Sequence, residues 1–397
     1  VWICAGGSKL HFPVAESANA ELEIEAAKDF PLVRQFRVES HAAGKPLGEF
    51  YKVDPWTCCS SDSVKEFSII SHLVGKAIYQ RLDVPIGLIQ ITQPSATLES
   101  WIPQQAFGEA SQFQNLITHW KDSAEPNNPR AIGTTFNGMI APLQNLPIAG
   151  VIMYEGENNL GRGAQFRKLL PVLIKNWRKH FGKPDTPFFS VQLPPHRYAD
   201  HSEGALPEIW DAQLVASKTI DDTGLVVTLD LSPDRESEDS IPSEIAERLA
   251  NHILGQTYRR PLFTANPGAS VGPNQSGENV PPTSESSSFC GPLFKEFEIR
   301  DGAIWISFTH AEAGLKYETN SKESPMMICG SDQKFKPAVV EIVDNQLRLF
   351  HPDIKSPAAV RYAWSDTSQA TLTNTIGLPA APFRTDDFQL PSEGIDF

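Results

Sequence analysis

The chain has 397 residues, of which 40% are hydrophobic and 21% charged, and its formal net charge is −14. That length exceeds one typical core, so two domains are expected. The acidic balance excludes a nucleic-acid binder, which needs a basic stripe to displace counterions from phosphate, and no apolar run approaches the roughly 18 residues of a membrane helix.

The chain opens VWICAGGSKLHFPV. Val1–Ala5 reads as a strand, and Gly6-Gly7 then delivers Ser8 at a tight turn. A serine there is either a nucleophile raised into a cleft or an ordinary turn residue. A start inside a strand reads as a processed or truncated piece of something longer. Further Val- and Ile-rich strands are expected at Val33–Ser40, Ile86–Ile91, Ala149–Tyr154, Pro187–Leu193 and Gly224–Leu231, as for a sheet covered on both faces. Apolar residues at three- and four-residue spacing predict helices over Ser63–Leu82, Gln165–Lys179 and Ser243–Tyr258, the last with Ser243 as N-cap. This alternation predicts an α/β fold over residues 1–258, with its active site at the carboxyl ends of parallel strands.

Residues 259–290 are rich in Pro, Gly, Ser and Asn and read as a linker or extended loop. Residues 291–397 turn antiparallel. Asp301-Gly302 and Asp344-Asn345 are hairpin signals between alternating strands, AVRYAW adds a strand, and a small β-sandwich is expected. The five cysteines lack CxxC spacing, so no zinc site is predicted. The acidic run DRESED lacks the glycine turn and terminal glutamate of a calcium loop. No metal and no cofactor are expected.

The runs VWICAGGS, VPIGLIQITQPSATLESW, FNGMIAPLQNLPIAGVIMYEGENN and AVRYAW…GLPAAPFRTDD resemble the sialate O-acetylesterase family, a group of SGNH or GDSL serine esterases. The resemblance implies a flavodoxin-like three-layer α/β/α SGNH-hydrolase domain followed by a small antiparallel β-sandwich. It implies removal of acetyl groups from sugar hydroxyls, so the partner expected is a small molecule or glycan carrying O-acetyl esters, with no nucleic acid and no membrane. It also implies a secreted, periplasmic or lysosome-like location. Nothing in the sequence fixes the oligomeric state.

Serine ester hydrolysis needs a nucleophile, a base and donors for the oxyanion. The family's G-Q-S-N-M stretch reads here Gly6-Gly7-Ser8-Lys9-Leu10, which places Ser8 at the nucleophile position. The S-W-G-G-T stretch reads Thr92-Gln93-Pro94-Ser95-Ala96. Both glycines are replaced, Pro94 has no N–H, and the Ser95 N–H is the donor left. In Gly156-Glu157-Asn158-Asn159 the amide of Asn159 is the second donor expected, with Asn158 in reserve, and Glu157 and Arg162 are expected on the substrate, Arg162 for a sugar carboxylate.

The base is the missing element. Family members carry Asp-x-x-His before the last esterase helix, but no histidine occurs between Ser232 and Ser243. Glu238 stands at the His position and Glu236 at the Asp position. A carboxylate with an ordinary pKa near 4.3 is a poor base for a serine hydroxyl. His11, His196 and His201 are the histidines to consider as substitutes, and His252 is expected to be packed. The expectation is a carbohydrate esterase homologue with weak or lost catalysis, and the alternative is a non-catalytic carbohydrate-binding or scaffold protein.

Overall fold

The computed structural model describes residues 1–108, 111–121, 125, 127–198, 200–231, 240–260, 289–318 and 324–396. Its central sheet has seven strands: β1 (Trp2–Gly6), β2 (Val33–Val38), β3 (Thr57–Cys58), β4 (Ile86–Thr92), β5 (Gly150–Tyr154), β6 (Phe188–Val191) and β7 (Thr223–Val226). They lie in the order β3-β2-β4-β1-β5-β6-β7. Every neighbouring pair is parallel except β2 with β3. The six expected strands are all present, and the two-residue edge strand β3 is an addition.

Among the described residues seven α-helices accompany the sheet: α1 (Ser8–His11), α2 (Ala20–Ala26), α3 (Ile69–Leu82), α4 (Gln114–Lys121), α5 (Gly163–His180), α6 (Ala205–Thr219) and α7 (Ile241–Gln256). α3 packs on α7, and α5 on α6. Successive residues of a strand point to opposite faces, and β6 shows which helices lie where. Phe188 meets Trp177 of α5, while Phe189 meets His252 of α7. The result is a three-layer α/β/α arrangement. None of the described helices is long and apolar enough to cross a membrane.

Two helix starts differ from expectation. The helix expected from Ser63 begins at Ile69, because Ser68 caps it by accepting from the Ser71 N–H at 3.2 Å. Ser243 lies inside α7 rather than at its cap, since Pro242 already occupies the first turn, where its missing N–H costs nothing.

The remaining chain is antiparallel. Its strands are β8 (Leu293–Arg300), β9 (Ala303–Thr309), β10 (Leu315–Tyr317), β11 (Met326–Cys329), β12 (Lys336–Pro337), β13 (Val339–Val343), β14 (Gln346–Phe350), β15 (Ala359–Tyr362), β16 (Leu372–Asn374) and β17 (Phe383–Arg384). They form four-stranded sheets β13-β14-β9-β8 and β12-β11-β15-β17, with β10 and β16 paired beside them. Phe383 of one sheet contacts Phe294 and Phe308 of the other. Both hairpin signals hold: Asp301 and Gly302 have φ of 51° and 68°, and Asp344 and Asn345 have 48° and 61°. Two left-handed residues in succession are what a tight two-residue hairpin requires.

This β region is tied to the helical layers by buried polar contacts. The Asp366 carboxylate accepts from the N–H groups of Gly204 and Leu206 at 3.2 and 2.9 Å, so a distant residue caps α6. Within the β region itself, Asp386, whose side chain is fully buried, accepts from Nε and Nη2 of Arg361 at 2.8 Å. The final residues return to α5, where Ser392 Oγ accepts from the Ala164 N–H and the Asp396 carbonyl accepts from Gln165.

Candidate active site

Gly6 ends β1, in register with Thr92 of β4 and Tyr154 of β5. A Cβ at Gly6 would lie 2.4 Å from the Tyr154 carbonyl oxygen, so only glycine permits this close approach. The Gly7 N–H donates to that carbonyl at 3.2 Å. Ser8 then opens the single turn of α1, anchored by buried Leu10, and its own side chain is exposed.

Ser8 faces a cavity of about 450 Å³ at the carboxyl ends of β1, β5 and β6. Lys9, Tyr154, Glu157 and His196 line it with Ser8, and Ile241 and Pro242 of α7 form one wall. Lys9 Nζ and Glu157 Oε1 are 3.9 Å apart and both more than a third exposed, a weak pair in water. His196 is exposed and stands edge-on to Tyr198, with ring centroids 5.0 Å apart. It is the imidazole among the described lining residues. The Ser8 hydroxyl has no hydrogen-bond partner among the described residues.

The other expected residues sit elsewhere. Glu236 and Glu238 lie outside the described residues. Asn159 is fully buried: its Oδ1 accepts from the Leu98 N–H at 2.8 Å, and its Nδ2 donates to Glu99 Oε2 at 2.9 Å. Arg162 donates to Glu99 Oε1 at 2.7 Å, to Gln165 Oε1 at 3.0 Å and to the Asn158 carbonyl at 3.0 Å. Neither Asn159 nor Arg162 lines the Ser8 cavity. They form a buried ionic network around Glu99, and breaking such a pair leaves an uncompensated charge. Ser95 lies in the turn after β4 with φ of +66°, the left-handed conformation that the replaced glycines would adopt freely. It is exposed, and its N–H has no acceptor among the described residues.

The substitute histidines separate in the same way. His11 bonds Thr92 Oγ1 through Nδ1 at 2.8 Å. His201 lines a different recess with Arg197, Glu203 and Asp366. His252 is buried between Phe189 and Phe289, and burial pushes its pKa down to about 3, so it is packed as expected.

Two features escape sequence reading. Glu155, beside Tyr154, is a fully buried carboxyl that accepts from Trp101 Nε1 at 3.1 Å and from the Gly156 N–H at 3.2 Å. Burial raises its pKa to about 8 despite those two donors. Between α2, α3 and the chain after β3, Cys59 Sγ, His72 and Glu23 line up like a cysteine triad, at 3.9 Å and 3.2 Å. Cys59 is 2% exposed and burial pushes its thiol up to about 11, so no thiolate is presented to substrate. No two of the five cysteines form a disulfide. Among the described residues, no three His, Cys, Asp or Glu side chains gather to hold a metal ion.

No protein-family model matches the chain. Individual relatives do. The chain is 25% identical to sialate O-acetylesterase of Rattus norvegicus over 434 residues, covering 96% of this chain and 76% of that protein. It is 25% identical to that of Homo sapiens over 411 residues, covering 96% and 74%. The chain is thus similar to sialate O-acetylesterases over nearly its whole length. A crystal structure of a carbohydrate acetylesterase from Xanthomonas citri superposes with a TM-score of 0.78 at 23% identity, covering 98% of this chain and 80% of that one. The fold shared with that carbohydrate acetylesterase therefore extends through both the seven-stranded sheet and the antiparallel strands after it.

Proposed function

We propose that the protein is a carbohydrate O-acetylesterase homologue of the SGNH type, which binds an acetylated sugar in the Ser8 cavity and hydrolyses its ester weakly. In this reading the Ser8 hydroxyl attacks the acetyl carbonyl and His196 takes the hydroxyl proton. The tetrahedral intermediate collapses as that proton passes to the departing sugar oxygen, and water then hydrolyses the acetyl-serine. The Ser95 N–H serves as the backbone donor, Glu157 and Lys9 contact the sugar, and Glu236 and Glu238 remain at the positions of the family's Asp and His.

The observation that carries the reading is the shared cavity, in which an exposed Ser8 and His196 lie together at the carboxyl end of the sheet. Weak turnover follows from what that pair lacks. Ser8 has no hydrogen-bonded base and His196 has no hydrogen-bonded orienting carboxylate among the described residues, and removing one such group costs several orders of magnitude. A non-catalytic sugar-binding role is the second reading, and the occupied amide of Asn159 favours it.

Hydrolysis of an aryl acetate by the purified protein, beside Ser8→Ala and Glu238→His, separates the two. Slow turnover abolished in Ser8→Ala and raised in Glu238→His is the expected result. Turnover that persists in Ser8→Ala overturns the esterase reading. No turnover in the parent, with binding of an acetylated sugar retained, establishes the second reading.

A further inference from the structure

A second cavity, of about 170 Å³, opens at the same edge of the sheet, lined by His11, Arg37, Glu39, Asp54 and Thr92 among others. It lies over the ends of β2 and β4, whereas the Ser8 cavity lies over β1, β5 and β6. α1 separates the two and presents Ser8 to one and His11 to the other. Residues three apart on a helix have Cβ atoms about 5–6 Å apart, close to the length of one sugar ring.

The backbone on one side of this cavity is fixed. Its two extended segments are joined by backbone bonds from Glu39 N–H to the Lys52 carbonyl and from Asp54 N–H to the Arg37 carbonyl, and Val38 bridges Val53. Arg37 Nε donates to Asp54 Oδ2 at 2.7 Å in a partly exposed pair, and its two terminal nitrogens have no acceptor among the described residues. Glu39 pairs with Lys52 at 2.5 Å, and His11 is oriented by Thr92 at 2.8 Å.

We infer that this cavity is a subsite for the next, uncharged sugar unit of a glycan whose acetylated unit occupies the Ser8 cavity; the inference rests on the function proposed above. The chemistry selects that ligand. Planar carboxylates accept from vicinal hydroxyls, and the free guanidinium arms donate to hydroxyl and ring oxygens. Arg37 offsets Asp54 and Lys52 offsets Glu39, so the cavity carries no net charge, which suits a neutral polyol better than a sugar acid.

Binding measured by isothermal titration calorimetry tests this without any ester chemistry. The probes are unmodified neutral xylo-, gluco- and galacto-oligosaccharides of two to four units, the matching monosaccharides and a sialylated trisaccharide. At least one neutral series should bind 10-fold or more tightly as the disaccharide than as the monosaccharide. Arg37→Met should bring that ratio to about one, and Glu39→Gln should lower it, the second variant serving if the first does not fold. Equal affinity for one and two units overturns the subsite and leaves the esterase reading standing. A length preference that survives in Arg37→Met, or a preference for the sialylated trisaccharide, also overturns it. If no saccharide binds while Ser8-dependent hydrolysis of an aryl acetate persists, the subsite alone fails; if both are absent, both readings fail.

Discussion

The Glu155 carboxyl lies directly against Gly7, one residue before the candidate nucleophile: a Cβ at Gly7 would be 3.4 Å from Glu155 Oε1. The turn that presents Ser8 therefore rests on an ionisable group in the core. In the folded chain this carboxyl keeps its proton up to about pH 8, against an ordinary value of 4.5, so the folded state binds the proton more tightly than the unfolded one. Stability is fully present below about 4.5 and is lost as the pH rises through 8. Glu155→Gln, neutral at every pH, should remove that part of the fall. Unfolding free energies from urea titrations should match the parent near pH 4.5 and exceed it above pH 8, by at most about 5 kcal/mol. Glu208, Asp211 and Asp366 are also raised by burial, so the difference between the two proteins, rather than the parent's slope, isolates Glu155. Identical pH slopes would refute the assignment.

Ser95 holds a left-handed backbone without the freedom of glycine. Ser95→Gly should relieve that strain and raise stability by about 0.5–1 kcal/mol, net of the greater entropy of a glycine-containing unfolded chain. The same change restores a backbone that substrate can approach closely. Thermal unfolding reads the first effect, and an unchanged or lowered Tm would count against it.

His196 and His201 are close in sequence but line different recesses. His196→Gln should reduce Ser8-dependent aryl acetate hydrolysis by about 10²-fold or more, whereas His201→Gln should leave it unchanged. Equal losses in both variants would point to a general disturbance of the segment and remove His196 as the base.

Asp366 caps α6 from the β region. Asp366→Ala leaves two N–H groups of that helix start without an acceptor and should cost about 1–2 kcal/mol. Asp366→Asn retains an oxygen to accept and should recover much of the loss. If Asn destabilises as much as Ala, the contact is not a cap.

The parallel sheet was legible because both of its faces are covered, which forces near-continuous Val and Ile runs such as IGLIQI. The hairpins were legible because Asp-Gly and Asp-Asn are residues that tolerate positive φ. Helix α6 was not, since residues 205–213 are all buried and no apolar stripe survives. Its polar residues Glu208, Asp211 and Gln213 find partners in Ser392, Arg167 and the Val191 carbonyl, all supplied by tertiary structure. Ser8 and Glu157 could be placed in one cleft from strand ends alone. Asn159 and Arg162 could not be assigned, because Glu99, about sixty residues earlier, decides where they point. Glu155 is the same case: its neighbours Trp101 and Gly7 come from distant parts of the chain.

The last residues of the chain are stitched back onto α5, and Asp366 holds the start of α6. Severing the chain in the proline- and serine-rich stretch would therefore not release two self-sufficient modules. It would leave one with an open helix end and the other with Ser392 and Asp396 stripped of their partners on α5. Recombination can shuffle only units that survive separation, so these two parts are expected to be inherited together, each amending its surface in step with the other.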